Sequence, residues 1–155
     1  MPRPVDQDDA EAGLLSACAC FNARNAARAI TDLYDEALAP TGLRLSQFAI
    51  LAAIRQRHGA TMQEIATELG LDPSTMTRTL RPLEDQKLVH AQPGDDKRAK
   101  TLELTVGGRE TLQRSLELWR NVQDALRRKI GGEVFERLNA DLVAVVRALR
   151  SNDET

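Results

Sequence analysis

Apolar residues recur at steps of three and four through most of the chain, the spacing that puts them on one side of an α-helix. Residues 12–38 read as one long helix on the stripe Leu14, Cys18, Phe21, Ala29, Ile30, Leu33, Ala37 and Leu38, stopped by Pro40 and Gly42. Ser46 is placed to cap a second helix, with Phe48, Leu51, Ala52 and Ile54 on one side and Gly59 past its end. Thr61-Met62-Gln63-Glu64 has the spacing of a capping box and opens a short third helix, with Ile65, Ala66 and Leu69 inward. Gly70 closes it. Only Leu71 separates that glycine from Asp72-Pro73, an N-cap followed by proline at the first helical position.

In this fourth helix Met76, Leu80 and Leu83 form the buried side, leaving Ser74, Thr75, Thr77, Arg78 and Arg81 mostly opposite. Two helices joined by a tight glycine turn make a helix-turn-helix. Pro82 lies too deep to be a first-turn proline, and predicts a kink or an end to the regular helix. The period then changes to two. Leu88–Ala91 and Thr101–Leu104 read as a small hairpin around the turn cluster Pro93-Gly94-Asp95-Asp96. Helical spacing returns after Thr105, on Leu112, Leu116, Trp119, Leu126 and Ile130, and Gly131-Gly132 breaks it. The last helix carries Phe135, Leu138, Leu142, Val145 and Leu149 at heptad-like steps. The fold class is therefore mainly α: a winged helix-turn-helix with dimerisation helices at both ends. Residues 1–45 form an arm and first helix, 46–104 the helix-turn-helix with its wing, and 105–155 the C-terminal helices.

Charge sharpens this picture. The 155 residues hold 21 Lys+Arg against 23 Asp+Glu, a formal net charge of −2. That excludes a uniformly basic nucleic-acid coat, but a local basic patch sets its own field. Between Arg78 and Lys100 stand six basic and four acidic residues, a local excess of positive charge. No apolar run has the length of a membrane span, and the acidic stretch Met1 to Glu11 lacks the form of a signal peptide, so the expected location is the cytoplasm without membrane contact. Cys18 and Cys20 are the only cysteines. In a helix they would point about 200° apart, which excludes a bridge between them there.

The exposed side of the fourth helix suits double-stranded DNA. A major groove about 12 Å wide admits one helix, and arginine can fork onto guanine while short hydroxyls reach bases or phosphates. Lys97, Arg98 and Lys100 at the hairpin tip suit a neighbouring minor groove, where narrowing concentrates negative potential.

Three stretches together resemble the MarR (multiple antibiotic resistance regulator) family. They are Thr61–Ala66, Leu69–Arg78, and Asp96–Gly108, the last resembling the family's wing signature ending in L-T-x-x-G. Pro40-x-Gly42-Leu43-x-Leu45-x-Gln47-Phe48 resembles the family's lead-in to its second helix. The resemblance covers residues 12–149. It implies a homodimeric winged-helix repressor on a palindromic operator, released by a small-molecule effector. Arg98 would match the minor-groove arginine and Asp96 the acid that braces the wing. Pro82 departs from the usual pattern.

Two further sets of residues carry alternatives. Cys18 and Cys20 resemble in placement the thiol of oxidant-sensing members, which implies a redox switch. By the stripe, Cys18 is expected to be buried and Cys20 to be the more reactive thiol. Arg24 and Arg28 on the first helix could anchor a small aromatic or anionic effector, whereas the plainer reading is an ion pair between Arg28 and Asp32. His58 and His90 lack metal-ligand spacing, no cofactor is implied, and no enzyme signature is present. A winged-helix protein-interaction module without DNA binding is the rival of a different class.

Overall fold

The computed structural model describes residues 13–93 and 100–151. In chain order it places α1 (Ala19–Leu38), a 3-10 turn (Ala39–Thr41), α2 (Leu45–Gln56), α3 (Met62–Leu69), α4 (Pro73–Asp85), β1 (Val89–Pro93), β2 (Lys100–Leu104), α5 (Val106–Ile130) and α6 (Gly132–Arg150). It is the mainly α winged helix that the periodicity predicts.

Several boundaries differ from the sequence reading. The first helix starts at Ala19 rather than at residue 12. Residues 13–17 form turns, with the Ser16 hydroxyl donating to the Gly13 carbonyl, and Cys18 is extended at φ −80° and ψ 112°. Ser46 is not the cap of α2. That place belongs to Arg44, whose N–H donates to Gln47 Oε1 at 2.9 Å. Pro82 does not end α4, which continues to Asp85. The missing amide leaves the Arg78 carbonyl on the exposed side, where water can satisfy it.

The capping predictions hold at the helix-turn-helix. Thr61 Oγ1 accepts from the Glu64 N–H at 3.2 Å while Glu64 Oε2 accepts from the Thr61 N–H at 2.7 Å. Gly70 ends α3 in the left-handed region at φ 65°, a conformation glycine adopts without Cβ strain. The core below these helices gathers Leu38, Leu43, Ile50, Leu51, Ile65, Met76, Leu83, Val89, Leu102 and Leu112. Met76, Leu80 and Leu83 are buried together, as the spacing of α4 requires.

The hairpin is antiparallel, with Val89 opposite Leu104 and Pro93 opposite Lys100. Leu102 and Leu104 point into the core while Glu103 points out. The Leu102 N–H also donates to the Ala60 carbonyl at 2.9 Å, so the hairpin base is sewn to the segment leading into α3. Thr105 joins the hairpin to α5. Its hydroxyl donates to the Lys87 carbonyl at 2.7 Å and accepts from the Gly108 N–H at 3.0 Å. Gly108 packs so closely that an added Cβ would overlap the Leu88 carbonyl. The L-T-x-x-G pattern thus has a steric cause.

A second, smaller cluster of Tyr34, Val122 and Leu126 joins α1 to α5. Burial pushes the Tyr34 phenol above its ordinary value. Beyond it the ends of the molecule carry unpartnered apolar surface. Leu14, Leu15 and Phe21 are exposed, and α6 has no buried residue at all. Leu142 (47% exposed), Val145 (55%) and Leu149 (71%) continue the heptad-like seam into open solvent. No single helix among the described residues is long and apolar enough to cross a membrane.

Candidate nucleic-acid interface

Helix α4 is held by its buried triad, so its opposite side is fixed outward. Ser74, Thr77, Arg78 and Arg81 are exposed and Thr75 is half-buried at the flank. All five predicted helix residues therefore share one outward-facing region. Arg78 and Arg81 belong to none of the ion pairs formed among the described residues.

The first turn of α4 is organised by Asp72. Its Oδ1 accepts from the N–H groups of Ser74 and Thr75, both at 3.0 Å. The same carboxylate accepts from the Ser74 hydroxyl at 2.5 Å and the Thr75 hydroxyl at 2.6 Å. These donors, the Ser74 hydroxyl foremost, hold the Asp72 carboxyl far below the usual carboxylate range. Sequence spacing identifies Asp72 as a cap. That it also captures both hydroxyls was not legible, because rotamers decide it.

Lys100, at the start of β2, is exposed as predicted. Asp96, Lys97 and Arg98 lie outside the described residues. On the outer side of the hairpin, His90 and Glu103 face one another with Nε2 and Oε2 3.7 Å apart, and Gln92 Nε2 donates to Glu103 at 3.1 Å.

The effector and redox candidates fare differently. Cys18 is half-exposed rather than buried, because it precedes α1 and its stripe neighbours Leu14 and Phe21 are themselves exposed. Cys20 is exposed as expected, and both thiols are free. Tyr34 stands 14 residues beyond Cys20 on the same helix, about 21 Å at 1.5 Å per residue. Arg24 and Arg28 are exposed on α1, and Arg28 makes no ion pair with Asp32. A cavity of about 650 Å³ opens elsewhere, between α2, β2 and α5, lined by Ile54, Arg55, His58, Leu104 and Arg109. Sequence reasoning did not anticipate it, because its walls come from segments as far apart in the chain as Ile54 and Gln113.

A recessed helix pair, an outward second helix and a hairpin sewn beside it define a winged helix-turn-helix protein. Comparison with known proteins agrees. The model of the MarR family matches residues 43–100. The transcriptional regulator MosR of M. tuberculosis, solved in complex with DNA, is 37% identical, covers 88% of this chain and 98% of its own, and superposes with a TM-score of 0.78. The transcriptional repressor CouR, solved on a 23-mer DNA duplex, is 27% identical over 86% of this chain and 96% of its own, with a TM-score of 0.80. CouR has also been solved bound to p-coumaroyl-CoA, with a TM-score of 0.81. The helix-turn-helix regulator YwoH of Bacillus subtilis is 38% identical over 79 residues, which span 51% of this chain and 58% of YwoH. The match thus takes in little more than half of that curated relative. The chain belongs to the MarR family of transcriptional regulators, a family of regulators and not of enzymes.

Proposed function

We propose that this protein is a homodimeric, sequence-specific repressor that binds a palindromic operator and leaves it when an effector binds. Helix α4 enters the major groove through Ser74, Thr75, Thr77, Arg78 and Arg81. The wing reaches the minor groove through Lys97, Arg98 and Lys100, with Asp96 bracing it. Residues 46–104 form the reading unit, and residues 1–45 and 105–155 pair with a second copy. The observation that carries this reading is the outward side of α4, with two arginines outside the ion pairs formed among the described residues, on a chain 37% identical to a regulator solved on DNA.

Dimerisation is supported by the exposed seam of α6 together with Leu14, Leu15 and Phe21. A two-fold pair sets two reading helices about one DNA turn apart, as a palindrome requires. Release by a small molecule is favoured by the cavity beside α5, and CouR, solved with an acyl-CoA, is a precedent among similar structures. The sources of effector binding in this chain are Arg24 and Arg28 or the cavity residues Arg55, His58 and Arg109.

A second reading is an oxidant sensor of the same fold. It is favoured by the extended backbone at Cys18, which removes the helical constraint that would hold the two thiols apart. One experiment addresses both readings. The purified protein is titrated against its own upstream intergenic region at several salt concentrations, reduced and peroxide-treated. Specific, salt-dependent binding establishes the regulator. Loss of binding after peroxide, restored by a thiol reductant, establishes the sensor. A protein-interaction module without DNA binding would show no salt-dependent affinity for this DNA in either state.

A further inference from the structure

The hydroxyls on the outward side of α4 all have their protons committed inside the helix. Ser74 Oγ donates to Asp72 Oδ1 at 2.5 Å, and Thr75 Oγ1 donates to Asp72 Oδ2 at 2.6 Å. Thr77 Oγ1 donates to the Pro73 carbonyl at 2.9 Å. A hydroxyl has one proton and two lone pairs, so each of these groups presents only acceptor capacity to a partner. The first amides of the helix are closed in the same way, because Asp72 Oδ1 accepts from both Ser74 and Thr75. Donors on this side come instead from the long side chains of Arg78 and Arg81.

We infer that Asp72 sets the hydrogen-bonding polarity of the reading helix, fixing Ser74 and Thr75 as acceptors that select base edges bearing an amino group, adenine N6 or cytosine N4. The inference rests on the DNA-reading role proposed above and specifies what that role selects. In the major groove guanine and thymine offer oxygen or nitrogen acceptors, which meet lone pairs unfavourably there. A phosphate offers only acceptors and a negative charge. The Asp72 carboxylate therefore turns this helix start away from the backbone contact that helix N-termini usually make. Asp72 is a positioning residue: it acts through the rotors it holds.

The atoms make a specific test. In Asp72→Asn the carboxamide oxygen takes the place of Oδ1 and keeps the cap. The amide nitrogen falls where Oδ2 accepts from Thr75, and there it must donate. The Thr75 proton then turns outward and Thr75 becomes a donor. Thr75→Val removes the hydroxyl while leaving the Oδ1 contacts of Asp72 intact, and so serves even where the first variant folds poorly.

Sites are selected from a randomised duplex library with wild-type protein, D72N and T75V, with thermal melts alongside. Wild-type protein is expected to enrich adenine or cytosine at the positions covered by the first turn of α4. D72N moves one of those positions toward guanine or thymine by about three- to tenfold, the size of one neutral hydrogen bond. T75V loses the preference at that same position, and the remaining positions stay as they were. An unchanged base profile in D72N, even with tighter binding overall, overturns the inference, because Asp72 then acts only through charge and cap. A retained preference in T75V overturns it as well. If wild-type protein enriches no site, the DNA-reading role itself falls, and this inference with it.

Discussion

Asp35 on α1 accepts a hydrogen bond from the Leu45 N–H at 2.7 Å, so a carboxylate from one helix closes the amide end of the next. Its other oxygen stands 3.5 Å from the Arg44 guanidinium. This is the polar tie between the N-terminal helix and α2, the central helix of the reading lobe.

Removing that tie costs stability. Asp35→Ala is expected to destabilise the fold by about 1 kcal/mol, the usual cost of a lost N-cap, and Asp35→Asn by less because the amide oxygen still accepts. Urea denaturation of the three proteins checks the order.

The exposed seam of α6 gives an opposite expectation. Leu142 is 47% exposed in the single chain, so Leu142→Glu should change the stability of a monomer by no more than about 0.5 kcal/mol. Sedimentation should nevertheless show it as a monomer where wild-type protein is a dimer, with weaker binding to a two-half-site duplex. A variant that remains dimeric would move the interface away from α6.

Gly108→Ala places a methyl against the Leu88 carbonyl, at the hinge between hairpin and α5. Backbone must shift to make room, at a cost of about 1–3 kcal/mol. Both the thermal midpoint and DNA affinity should fall, since the wing is hung from this contact. Gly107→Ala, which meets nothing nearer than 3.8 Å, is the control.

Arg98→Ala tests the wing. Its binding constant for DNA should fall, and the slope of log affinity against log salt should shrink by about one unit if Arg98 neutralises one phosphate. An identical isotherm across the salt series would remove the wing tip from the contact surface.

Acid should loosen the helix-turn-helix first. The Thr61 N–H and hydroxyl lower the Glu64 carboxyl, and Ser74 with Thr75 lowers that of Asp72. A carboxyl depressed in the folded state contributes stability above its ordinary value near about 4, and that contribution is lost as pH falls below it. Thermal melts from neutral pH to pH 3 should therefore fall less steeply for Glu64→Gln than for wild-type protein. Parallel curves would show that the cap does not carry the pH dependence.

Much of the reading lobe was legible from residue spacing. The box Thr61/Glu64, the turn at Gly70 and the cap at Asp72-Pro73 are local, made by residues within three or four positions of one another, so sequence order is spatial order. The triad Met76, Leu80 and Leu83 buries itself by helical period alone, and that fixes Arg78 and Arg81 outward. What misled the reading was apolar patterning at the N-terminal end of the chain. Leu14, Cys18 and Phe21 have helical spacing but little to pack against within one chain, and the helix begins only at Ala19. Of the two outcomes expected at Pro82, an end to the helix is excluded, since α4 runs on to Asp85 with the orphaned carbonyl on the open side.

The sequence by itself determined the order of elements, the caps, the alternating hairpin and the identity of the outward residues of α4, because each depends on backbone preferences over a few neighbouring positions. Tertiary structure decided the rest. Only packing brings the Leu88 carbonyl onto Gly108, Asp35 onto the start of α2, and Ile54, Leu104 and Arg109 around one cavity. Only the settled rotamers of Asp72, Ser74 and Thr75 decide that both hydroxyls point their protons at the carboxylate. Contacts between distant segments, and the torsions chosen within them, depend on how helices cross in space, and no spacing along the chain encodes that directly.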